Sequence, residues 1–112
     1  MMKNIYVDID HTICDLPTGD ELTLEEKYQR ATPMHDKIEI INNLYDKGYI
    51  ITYWTARGTL SNINFFSLTY DQLKTWGVKF HELRMGKPAF DLLIDDKTFN
   101  MTRAQVNLLD EL

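Results

Sequence analysis

The chain has 112 residues, a formal net charge of −5 and an apolar fraction of 44%. That length supports one hydrophobic core with no room for a second domain. The charge disfavours a general polynucleotide or membrane surface, where clustered Lys and Arg are needed.

A first strand is expected over Lys3 to Asp10, where Ile5-Tyr6-Val7 runs into Asp8-Ile9-Asp10-His11-Thr12. Strand side chains alternate between faces, so Asp8 and Asp10 share one face at the strand's carboxyl end. Open α/β sheets bind their ligands at that end. Two carboxylates about 4 Å apart repel by roughly 4 kcal/mol at an effective dielectric near 20. Such a pair implies a protonated member or a cation between them. The apolar run after Lys3 is broken at Asp8 and no other run approaches the ~18 residues of a membrane span, so neither a signal peptide nor a membrane helix is expected. Cys14 is the single cysteine, which excludes an internal disulfide and points to the reducing cytoplasm, with a small buried thiol as its expected role.

The polar stretch that follows, residues 12–31, contains Pro17 and Gly19 and reads as a flap. Thr32 as N-cap and Pro33 at the first helical position predict a helix bearing Ile38, Ile41, Leu44 and Tyr45 on one face and stopping at Gly48. Tyr49 to Trp54 predicts a buried second strand, and Arg57-Gly58 a turn. A helical region then reaches Trp76, in two pieces if Thr69 and Gln72 form a capping box. Gly77 ends it. Val78 to Leu83 and Ala89 to Asp95 predict third and fourth strands, and the tail from Met101 to Leu112 a helix with Ala104, Leu108 and Leu109 facing inward. Trp54 and Trp76 read as core anchors. Strands alternating with helices place the chain in the α/β class, with a mostly parallel sheet and right-handed crossovers.

The apolar run Leu92-Leu93-Ile94 ends in a second acidic pair, Asp95-Asp96. Two acidic strand ends in one small domain can meet around a hard cation, and oxygen-only ligation favours Mg²⁺. His11, His35 and His81 do not share zinc-ligand spacing. Taken singly, an Asp at a strand end is more often a cap or turn former, and Thr55 or Lys87 alone would attract no notice. Their order along the chain gives them weight.

That order is Asp8-x-Asp10-x-Thr12, a strand ending in Thr55, Lys87, and an apolar strand ending in Asp95-Asp96. Here the sequence resembles the haloacid dehalogenase superfamily of phosphohydrolases, over nearly the whole chain from Ile5 to about Asn100. The strings YWTARG, WGVKFHEL, GKPAFD and LLIDDKTFN further resemble small capsule-biosynthesis or sugar-phosphate phosphatases. The resemblance implies a three-layer, Rossmann-like core and a Mg²⁺-dependent phosphatase working through an aspartyl phosphate. Asp8 matches the nucleophile, and Asp10 the general acid that later activates water. Asp8, the main-chain carbonyl of Asp10 and Asp95 match the metal ligands, with Asp96 holding the metal's water shell. Thr55 and Lys87 match the groups that bind and neutralise the transferring phosphoryl. Arg57 could reach a phosphate oxygen or a substrate group, and His11, between Asp10 and Thr12, could touch substrate.

Many members of that superfamily carry a cap domain after the first motif or between the second and third. Here 21 residues separate Asp10 from Thr32 and 31 separate Thr55 from Lys87, enough for a flap and for a helical region with a strand. A capless single domain over residues 1–112 is therefore expected. Its open site would be closed by the flap, with Leu22, Leu24, Tyr28 and Arg30 as candidate contacts, or by a neighbouring subunit of a homo-oligomer. A receiver-type phosphoacceptor domain shares Asp, Thr, Lys and Mg²⁺ but places its acidic pair first and a lone acceptor Asp mid-chain, which this chain lacks. A nucleic-acid end phosphatase would need a basic groove with stacking aromatics, whereas the 12 basic residues are dispersed. A small phosphate ester, preferably a sugar phosphate, is the expected substrate, with no nucleic-acid or membrane partner.

Overall fold

The computed structural model describes residues 3–101. In chain order the elements are β1 (Asn4–Val7), β2 (Cys14–Asp15), α1 (Leu24–Gln29), β3 (Thr32–Pro33), α2 (His35–Asp46), β4 (Ile50–Trp54), α3 (Phe66–Thr75) and β5 (Glu82–Arg84). A parallel three-stranded sheet has the order β1-β4-β5, and β2 pairs antiparallel with β3 in a small second sheet. The α/β class expected from the alternation of patterns is thus observed, with β4 as the central strand. Ile51, Thr52 and Tyr53 of that strand are all buried, so both faces of the sheet are covered at its centre.

The core joins Val7 and Ile9 with Ile13 and Cys14, Ile38, Ile41 and Leu44 of α2, Ile51 and Tyr53 of β4, Leu73 of α3, Val78, Leu83 and Met101. The α2 contribution falls at the helical spacing read from the sequence. Gly48 ends that helix with φ 99°, a conformation that L side chains rarely adopt, and the Tyr49 amide closes the turn on the Leu44 carbonyl at 3.2 Å. Trp54 and Trp76 are half-buried; Trp76 packs on the core and Trp54 meets Tyr6 edge-on.

Several expected boundaries move, each for a tertiary reason. The first strand stops at Val7 because the Thr12 and Ile13 amides both turn back onto the Ile9 carbonyl, at 3.1 and 2.9 Å. Thr32 and Pro33 do not start α2. They pair with Cys14 and Asp15, and the helix begins at His35 after Met34, which makes no side-chain cap. Within the flap lies α1, opened by a capping box in which Thr23 and Glu26 satisfy each other's backbone amides. The capping box expected at Thr69 and Gln72 is absent. Both lie inside the single helix α3, and their side chains are turned to Arg57 instead. The third strand begins at Glu82: the His81 amide still donates to the Ile51 carbonyl at 2.9 Å, but the Ile51 amide is taken by the His81 ring Nδ1 at 3.0 Å. Ala89 to Asp95 forms no strand: Leu92 and Ile94 are 74% and 88% exposed, and among the described residues β1 pairs with β4 alone. An apolar run becomes a strand only when a sheet edge accepts its backbone. The helix expected after Met101 lies outside the described residues.

Candidate active site

The carboxyl ends of β1 and β4 lie side by side, since Val7 pairs with Tyr53. Asp8 leaves β1 at this end, and Thr55 leaves β4. Thr55 is buried and its backbone is held from both sides: its amide donates to the Arg84 carbonyl and its own carbonyl accepts from the Lys87 amide, each at 3.0 Å. The Thr59 hydroxyl also donates to the Lys87 carbonyl, at 2.8 Å. Lys87 is therefore fixed at its backbone, and its ammonium reaches back to Asp8, with Nζ 3.3 Å from Oδ1. Thr12 Oγ1 donates to the other Asp8 oxygen at 3.4 Å. Three of the four sequence motifs thus meet at one sheet end through groups far apart in the chain.

The turn after Asp8 is tight. His11 takes φ 64°, its amide donates to the Cys14 carbonyl at 2.8 Å, and its exposed ring lies 4.0 Å from Asp15. A left-handed residue is needed there, and His is one of the few non-glycine types that adopt it readily. The turn carries Asp10 toward Arg57. Both Asp10 oxygens accept from Arg57 Nε, at 3.2 and 3.0 Å, and Oδ1 also accepts from Nη2 at 2.7 Å. Arg57 is wholly buried at its side chain while Asp10 keeps 19% exposure. The remaining terminal nitrogen, Nη1, donates to Thr69 Oγ1 at 3.2 Å and Gln72 Oε1 at 2.7 Å. The Tyr28 ring of α1 lies 4.6 Å below the guanidinium carbon, and Gln72 Nε2 donates to the Tyr28 carbonyl. Cys14 Sγ adds a contact to Asp10 Oδ1 at 3.5 Å. Burial, and after it the Asp10 carboxylate, push the Cys14 thiol up to about 12.

Arg57, expected to reach substrate, is thus spent on internal partners through all three of its nitrogens. Tyr28 is buried against Arg57 and Phe65, while Arg30 is exposed and pairs with Glu26 at 3.9 Å. Sequence reasoning missed Thr69 and Gln72. Their i,i+3 spacing placed them on one helix face, but nothing local pointed to an arginine 12 and 15 residues earlier.

The fourth motif lies elsewhere. Asp95 and Asp96 are exposed, and Asp95 Oδ1 accepts from the Lys97 amide at 3.1 Å. Hydrogen bonding from Asp96 and from the Lys97 amide holds the Asp95 carboxyl below its ordinary range. Among the described residues, no three His, Cys, Asp or Glu side chains are gathered at metal-binding distances. The oxygen donors at Asp8 and the Asp10 carbonyl suit a hard cation, and Asp95 would have to swing in from the 87–100 segment to complete the set.

Beside Arg57 the chain forms a compact loop. The Asn62 amide donates to the Gly58 carbonyl at 2.8 Å, and a Cβ at Gly58 (φ 85°) would stand 2.1 Å from the Ile63 carbonyl oxygen. Between this loop and Met85-Gly86 opens a cleft of about 390 Å³, whose walls include Thr59, Asn62, Asn64 and Phe65. No helix among the described residues is long and apolar enough to cross a membrane.

These features define a small α/β protein with a charged site at the carboxyl end of a parallel sheet. No protein-family model matches the chain, and no curated protein matches it. Among solved structures it is similar to the crystal structure of an MCSG target from Vibrio cholerae, with a TM-score of 0.77 and 24% identity over 98% of this chain and 95% of that one. At that identity the likeness shows the fold alone.

Proposed function

We propose that this chain is a Mg²⁺-dependent phosphomonoester hydrolase of the haloacid dehalogenase superfamily, built on a capless three-layer core. One observation carries the reading: the Asp8 carboxylate is held 3.3 Å from the Lys87 ammonium at the sheet's carboxyl end, with Thr55 fixing the Lys87 backbone. Phosphate-monoester hydrolysis is among the slowest uncatalysed reactions, so charge neutralisation and covalent catalysis are both needed.

In this reading an Asp8 oxygen attacks phosphorus, forming an acyl phosphate as the ester oxygen departs. The Asp10 carboxyl gives its proton to that oxygen and, as carboxylate, then takes one from the water that attacks the phospho-Asp8 phosphorus. Inorganic phosphate leaves and Asp8 is restored. Lys87 offsets charge on the equatorial phosphoryl oxygens. Asp8, the Asp10 carbonyl and, once swung in, Asp95 would hold Mg²⁺ with Asp96 behind them, and the bound ion would screen the anionic nucleophile from the anionic ester.

The cleft beside the 58–63 loop supports a neutral polar leaving group. Thr59, Asn62 and Asn64 line it, and the one cation among its walls, Arg57, is paired internally with Asp10. A sugar phosphate suits such walls better than a polyanion does. The test is release of inorganic phosphate from a panel of sugar phosphates, nucleotides and 3′- or 5′-phosphorylated oligonucleotides, with and without Mg²⁺. Turnover of sugar phosphates that requires Mg²⁺ is the expected result. Turnover confined to oligonucleotide ends would replace the substrate assignment, and inert behaviour on the whole panel would defeat the reading.

A further inference from the structure

Arg57 is unusual in its burial and in the number of its partners. Its side chain is 0% exposed, and all three guanidinium nitrogens donate to named acceptors. A buried arginine is retained at a cost in desolvation that a single exposed phosphate contact would not require. Its partners come from three places: Asp10 after β1, Thr69 and Gln72 on α3, and the Tyr28 ring on α1. The bonds to Asp10 are uneven. Oδ1 accepts from Nε, Nη2 and Cys14 Sγ, whereas Oδ2 accepts from Nε at 3.0 Å.

We infer that Arg57 is a positioning residue for Asp10. Its planar fork fixes the rotation of the Asp10 carboxylate, loads Oδ1, and leaves Oδ2 as the oxygen that carries the proton to the leaving group. Thr69, Gln72 and Tyr28 hold the fork in place, which ties the orientation of Asp10 to the packing of α1 and α3. Because α1 belongs to the flap, the seating of the flap and the readiness of the acid are one arrangement. This role rests on the phosphatase reading and removes Arg57 from the groups that touch substrate.

A lysine has the charge but not the rigid fork, so Arg57→Lys is the informative variant. The measurements are kcat and KM for phenyl phosphate, whose leaving group needs a proton, and 4-nitrophenyl phosphate, whose leaving group needs it less. Arg57→Lys is expected to lower kcat about 10²-fold on phenyl phosphate, about tenfold or less on 4-nitrophenyl phosphate, with KM within about twofold on both. Gln72→Leu, which removes one Nη1 acceptor and keeps the fork, is expected to show the same pattern several-fold weaker; it serves if the lysine variant does not fold. A readout independent of turnover is the Arg57 Nε–H signal in ¹⁵N NMR. It should be protected from solvent exchange in the wild type and exchange at least about tenfold faster in Asp10→Ala. Equal kcat losses on the two esters, a raised KM at unchanged kcat, or an unprotected Nε–H in the wild type would each overturn the positioning role. If the wild type hydrolyses neither these esters nor any member of the phosphate-ester panel while the Nε–H is protected, the phosphatase reading fails and the positioning role falls with it.

Discussion

The molecule contains two stretches with the same local recipe, an apolar run followed by a pair of aspartates, and treats them differently. At Ile5-Tyr6-Val7 the run is paired with β4, and its aspartates meet Lys87 and Arg57 from later in the chain. At Leu92-Leu93-Ile94 the run forms no strand and is exposed, and Asp95 takes local hydrogen bonds from Asp96 and the Lys97 amide. Acidic pairs become a site where a sheet holds their backbone and distant cations converge on them. Without that support they form a local turn.

Replacing Asp8, the proposed nucleophile, gives the largest expected contrast between the two stretches. Asp8→Asn should lower phosphate release by at least about 10³-fold, with the melting temperature little changed, because an amide preserves the shape. Asp10→Asn should cost about 10²–10⁴-fold on poor leaving groups and less on good ones. Full turnover in Asp8→Asn, measured as released phosphate, would erase the functional difference between the stretches.

Packing offers a second contrast. Leu44→Ala in the core should cost about 2–5 kcal/mol in urea unfolding, whereas Ile94→Ser should stay within about 0.5 kcal/mol. A loss at Ile94 comparable to that at Leu44 would mean that the 92–94 run is packed in solution.

A smaller effect tests how α1 is held. Thr23→Ala removes the capping box and should cost about 1 kcal/mol; a change in the Arg57 Nε–H exchange in the same variant would sharpen the link between flap and acid. The capping amide also holds the Glu26 carboxyl below its ordinary range.

The last contrast is a pH slope. Burial raises the Cys14 thiol from 9.0 to about 12 and also raises the Tyr28 hydroxyl. A group raised on folding gives stability that is present below its unfolded value and lost as pH climbs through its folded one. The melting temperature should therefore fall between pH 9 and about 12, and Cys14→Ala should make that fall shallower without abolishing it. An unchanged slope in Cys14→Ala would show that the thiol ionises freely in the folded protein.

How much of this was legible in the sequence depends on the range of the forces involved. Ile38, Ile41 and Leu44 share a helical face by spacing alone, Gly48 and Gly77 stop helices because each sits at positive φ, and the apolar run before Trp54 is a strand at nearly its expected limits. The clustering of Asp8, Thr55 and Lys87 followed from motif order and strand polarity. The partners of Arg57 did not, because Thr69 and Gln72 satisfy a local capping pattern equally well and only folding brings an arginine within reach of them. The pairing of Thr32-Pro33 with Cys14-Asp15 was hidden for the same reason, since two-residue strands have no periodicity to read. The chain by itself determined which segments are apolar, where helices must stop and which residue types could do phosphoryl chemistry, all consequences of local conformation and side-chain identity. Only the tertiary structure decided which apolar run found a sheet edge and that Arg57 pairs with Asp10, because backbone pairing and buried charge are satisfied by whatever the fold brings near.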